Sequence, residues 1–119
     1  MTIRLKRTYE APEREDGFRV LVDRLWPRGV SKGRAHIDKW LKDIAPSREL
    51  RMWFGHDPAK WKKFRSLYFG ELKGHPDEVA ELLGRAREGD VTLLYSASDR
   101  EHNDAVALKE YLESRRRRH

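Results

Sequence analysis

At 119 residues the chain is sized for one domain around a single core, and no internal repeat suggests otherwise. Its 26 Lys and Arg against 20 Asp and Glu give a net charge of +6, but Arg115, Arg116, Arg117 and Arg118 carry four of those charges, so residues 1–114 stand at 22 against 20 and the basic composition argues only weakly for nucleic acid. Absence of cysteine excludes disulfides, thiolate metal sites and a thiol nucleophile; the five histidines lack ligand spacing; no apolar run approaches the ~20 residues that span a bilayer. A cytoplasmic protein without metal or cofactor is the expectation.

In chain order, Ile3 and Leu5 alternate with polar residues, which predicts a strand over 2–8 near a sheet edge. Residues 9–17 are polar with Pro12 and Gly17, hence a loop, with a helical turn able to begin at Pro12. The run from Phe18 to Arg24 is aliphatic at its centre and predicts a strand buried on both faces, closed by a turn at Pro27–Gly33. Residues 37–44 fit a short helix and a distorted strand equally well. Ser47 is placed to cap a helix presenting Leu50, Trp53 and Phe54, which Gly55 ends. Asp57 and Pro58 open an amphipathic helix over 58–72 whose apolar stripe is Trp61, Phe64, Leu67, Tyr68 and Leu72. Pro76, Asp77 and Glu78 open another, burying Val79, Leu82, Leu83 and Ala86 and stopping at Gly89. A second buried strand, Val91–Tyr95, ends at Ser96 and Ala97. Ser98 and Glu101 have the spacing of a capping box for a last helix that buries Ala105, Leu108, Tyr111 and Leu112. From Ser114 onward nothing is available to pack, so 115–119 is expected to be a disordered basic tail beyond a 1–114 domain.

Two buried strands separated by helices, with a helix after the second, predict an α/β fold: a single three-layer domain with a small, at least partly parallel central sheet. Ligands bind such sheets at the carboxyl ends of the strands, and there the sequence concentrates charge. Asp23, Arg24, Trp26 and Arg28 follow the first buried strand; Ser96, Asp99, His102 and Asn103 follow the second. The start of the last helix, at 100–103, would offer N–H groups to an anion, with Arg24 and Arg28 adding guanidinium groups. Asp23 is the candidate general base and His102 the candidate acid. The plainer account is that Asp23 pairs with an arginine while Ser98 and Asp99 cap. His56 and Asp57, among Trp53, Phe54 and Trp61, would reach the pocket mouth; as plain structure, Asp57 caps a helix and Trp53 and Trp61 belong to the core.

Val22-Asp23-Arg24-Leu25-Trp26-Pro27-Arg28-Gly29, with Trp53-Phe54-Gly55-His56-Asp57-Pro58 and the later Asp99, His102 and Asn103, resembles the YeaO-like branch of the domain-of-unknown-function 488 family over nearly the whole chain. The resemblance implies a small cytoplasmic α/β protein and brings no established activity. Longer members carry a cysteine in the stretch matching 96–103; this chain has none, so thiol chemistry does not carry over. The residues therefore support a small anionic ligand, phosphorylated or carboxylated, with or without catalysis. The competing readings are a module binding nucleic acid or an acidic protein through the basic tail and the Lys60–Arg65 face, and a structural or regulatory protein with a buried charge network.

Overall fold

The computed structural model describes residues 2–117. Four strands form one sheet in the order β1-β4-β2-β3, every neighbouring pair parallel: β1 (Ile3–Arg7), β2 (Phe18–Leu21), β3 (Lys39–Trp40) and β4 (Val91–Tyr95). β4 inserts between the two N-terminal strands, with Ile3 and Phe18 both opposite Val91 and Leu21 opposite Leu94. Such an insertion reverses the direction in which the chain adds strands, the arrangement that opens a crevice at strand carboxyl ends. β1 is an edge strand, as its alternation predicts.

The helices are α1 (Lys32–Ala35), α2 (Arg48–Phe54), α3 (Trp61–Leu72), α4 (Pro76–Glu88) and α5 (Asp104–Arg117). Buried side chains of α2 to α5 join Ile3, Val20, Val22, Val91, Leu93 and Tyr95 in one cluster, so these helices cover one face. The alternate strand residues Arg19, Leu21, Thr92 and Leu94 are also buried, on the other face. Its cover is thin, consisting of the 8–17 connection and α1. Thr92 donates its hydroxyl to the Asp16 carbonyl, and Arg19 reaches the carbonyls of Ala35 and His36. Under that cover Asp16 binds both Arg19 (2.5 Å) and Lys6 (3.2 Å), with Asp16 and Arg19 each only 3% exposed. A buried charge network therefore exists, remote from the strand carboxyl ends.

Several expectations need correction. Residues 37–44 are neither one helix nor one strand: β3 is two residues long, followed by a 3-10 turn at Lys42–Ile44. Its pairing to β2 comes from Asp38, whose N–H donates to the Arg19 carbonyl and whose carboxylate accepts the Arg19 N–H, contacts that no periodicity reveals. Trp53 and Leu67 face outward, 38% and 45% exposed, and Trp53 packs under Lys60 and Lys63 rather than in the core. The capping box at Ser98 does not form; α5 starts at Asp104, with Asn103 as its cap through Val106 N–H (2.9 Å). α5 also runs past the expected limit of the fold. Helical backbone continues through Arg117, and Arg115 donates to the Tyr111 hydroxyl (2.6 Å) while lying over its ring. Residues 118 and 119 lie outside the described residues. No described helix is long and apolar enough to cross a membrane.

Candidate functional site at the strand carboxyl ends

The ladder between β2 and β4 extends to Val22, whose N–H donates to the Leu94 carbonyl. One residue later the backbones part, and the Asp23 carboxylate bridges the gap by accepting the Ser96 N–H (2.9 Å). The chain after Asp23 is pinned from two sides. Arg24 donates to the carbonyls of Ala45 and Pro46 (3.3 and 3.4 Å), and the Trp40 indole donates to the Asp23 carbonyl (2.8 Å). Trp26 closes its own turn by donating to the Val30 carbonyl (2.7 Å) and meets Trp40 edge-on at 5.5 Å. Gly29 at φ +72° completes the reversal that Pro27 begins, a conformation that favours glycine.

These contacts leave a cavity of about 340 Å³ between the two strand ends. Asp23, Arg24, Trp26 and Arg28 form one side; Ser96 and Asn103 form another; α2 contributes Arg51 and Phe54; His56 lies beyond it, and Tyr9 follows β1. Seven of the residues singled out from sequence thus converge: Asp23, Arg24, Trp26, Arg28, His56, Ser96 and Asn103.

Three do not. Asp57 caps the turn at Pro58–Lys60 through the Ala59 N–H (3.0 Å). Asp99 accepts the N–H groups of Glu101 and His102, bonds that hold its carboxyl below the ordinary range, and it also meets His102 Nδ1 at 3.0 Å. His102 otherwise lies edge-on to Trp61, 5.4 Å between centroids. Neither Asp57, Asp99 nor His102 lines the cavity, so the acid–base pairing of Asp23 with His102 is not assembled. Asp57 is the cap of the plainer reading, while Asp99 closes a turn ahead of α5 rather than capping it.

Asp104 was not anticipated and changes the electrostatics. It opens α5 at the cavity wall, beside Asp23. Burial, and next the Asp23 charge beside it, push the Asp104 carboxyl well above the ordinary carboxylate range. The anion seat expected at 100–103 is not a helix start, since α5 opens at Asp104 with Asn103 as its cap; the cationic groups that line the cavity are guanidinium groups. Arg28 and Arg51 make no ion pair among the described residues, and Arg24 bonds only carbonyls.

Signals for the missed residues exist. Arg51 sits three positions before the buried Phe54, on the same side of α2; Tyr9 follows the end of β1, which pairs with β4; Asp104 adjoins Asn103 and becomes prominent once the helix start moves there.

An all-parallel α/β domain with a charged cavity at its central strand ends is the class that this architecture defines. The chain belongs to the DUF488 family: the sequence model described as the inactive DUF488-N3 subclade matches residues 2–119. It is 43% identical over 114 residues to the uncharacterized protein YeaO of Escherichia coli K12, covering 96% of this chain and 99% of that protein. Uncharacterized proteins of Mycobacterium bovis and Mycobacterium tuberculosis are each 43% identical over 86 residues, 71% of this chain and 73% of theirs. No solved structure gives a significant match.

Proposed function

We propose that the chain is a binding module that holds a small anionic ligand in the strand-end cavity and does not turn it over. The observation that carries this reading is the gathering of Arg24, Arg28 and Arg51 around one cavity without a carboxylate partner. Three guanidinium groups line the cavity against the two carboxyl groups of Asp23 and Asp104, a balance that favours anions. Binding rather than catalysis is supported by two facts. Asp23, the candidate base, is engaged by the Ser96 N–H and by Asp104, and His102 stands outside. The subclade's description as inactive points the same way.

The test is thermal unfolding of the full chain against phosphate, sulfate, sugar phosphates and short carboxylates at two salt concentrations. A ligand at a hundred times its dissociation constant adds about 2.7 kcal/mol and raises the midpoint by roughly ten degrees in a domain of this size. The reading requires such a shift from one anion class, reduced by salt and abolished in Arg51→Ala. Equal shifts in Arg51→Ala and the parent would place the anion elsewhere and reject it.

A further inference from the structure

We infer that the anion is a nucleoside monophosphate, with its base inside the cavity and its phosphate at the mouth. This rests on the proposed function and narrows it to one ligand class. Size is the first argument. A cavity of about 340 Å³ corresponds to roughly eleven waters at ~30 Å³ each, so an inorganic anion would leave most of it unfilled. The lining is the second. Beside the arginines it carries Tyr9, Trp26, Phe54 and His56, and Tyr9 stands 50% exposed, apolar ring surface left in water at the rim. Flat aromatic ligands stack on such rings; a bare sugar phosphate has no flat face to offer.

The Asp23–Asp104 pair supplies the third argument. The Asp23 and Asp104 carboxyl groups present acceptor oxygens side by side, with Asn103 in the same wall. Ring N–H and amino groups, as on the edge of a nucleobase, match acceptors set side by side. An aromatic carboxylate would stack but bring no N–H groups, leaving the carboxyl pair unsatisfied by the ligand. Arg28, exposed at the mouth, is placed for the phosphate.

Titration calorimetry of the full chain with AMP, GMP, CMP, UMP, the corresponding nucleosides and ribose 5-phosphate tests this. At least one nucleotide is expected to bind ten-fold or more tightly than ribose 5-phosphate. Arg28→Ala should weaken that nucleotide about ten-fold while leaving its nucleoside unchanged, and Asp104→Leu should erase the preference over ribose 5-phosphate. Ribose 5-phosphate binding as tightly as all four nucleotides would overturn the nucleotide assignment and leave anion binding standing. No binding by any phosphorylated compound would overturn both.

Discussion

Two aspartates in this chain are displaced in opposite directions, and the difference lies in their neighbours. Asp16 is buried, which raises its carboxyl, but the Glu13 N–H, Lys6 and Arg19 outweigh burial and hold it below the ordinary range. Its contribution to stability is therefore present at neutral pH and is lost as pH falls from about 3.9, the unfolded value, through the lower folded one. Asp16→Ala leaves Arg19 buried without its carboxylate and should cost about 3–5 kcal/mol in urea unfolding at pH 7. For Asp104, burial and the Asp23 charge push the carboxyl up instead. Its folded value lies above the unfolded one, so the folded chain binds the extra proton and stability falls as pH rises from about 3.9 towards the raised folded value. Asp104→Asn removes that dependence and should stabilise the chain by about 1–2 kcal/mol at pH 7, as substitutions in binding sites often do. Equal slopes of stability against pH in the two proteins would refute a raised Asp104 carboxyl. His56, at φ +58° on the cavity rim, holds a conformation unfavourable for its side chain. Replacement by Gly should raise stability by about 1 kcal/mol, read from the urea midpoint, while weakening ligand binding.

At the scale of elements, what the sequence reveals depends on how local the cause is. The long helices and the two buried strands are written in local periodicity and caps: Ser47 caps α2 through the Leu50 N–H, Pro76 opens α4, and the run at 91–95 is buried throughout. β3 and the start of α5 are not local. Lys39–Trp40 is a strand because Asp38 docks on Arg19, and the choice between Ser98 and Asn103 as the first cap is decided by where the turn after β4 meets Asp23. Both candidate caps obey the same residue preference, so only tertiary contact separates them. The same reasoning explains the site. Strand-end position brought Asp23, Arg24, Trp26 and Ser96 to one cavity, as expected from the sequence, while Asp104 depended on the helix start and was missed. One junction is set by glycine alone. Gly17 sits at φ +65°, and a β-carbon there would lie 2.2 Å from the Asp90 carbonyl oxygen, beside the bond from the Phe18 N–H that starts β2 on β4. Gly17→Ala should cost at least about 2 kcal/mol, measured by urea unfolding, and a loss within error of zero would show that the junction can relax.

For the whole molecule, charge is divided between two places with different meanings. The arginines at the end of α5 contribute most to the net charge, yet Arg115 binds Tyr111 and Arg116 binds Glu113 on the same helix. The cavity gathers fewer charges but directs them at one volume, bounded by the ends of β2 and β4, by α2 and by the start of α5. A ligand there would contact the ends of β2 and β4, α2 and the first turn of α5 together, and so stabilise the fold as a unit. A ligand held by the basic end would touch α5 alone. Backbone amide spectra of the labelled full chain, titrated with GMP and AMP and with ribose 5-phosphate as reference, separate these directly. The account predicts shifts concentrated at Arg24, Trp26, Arg51, Ser96 and Asn103, including the Trp26 indole N–H. Shifts confined to 109–117 and the Lys60–Arg65 face, with the strand ends unmoved, would contradict it.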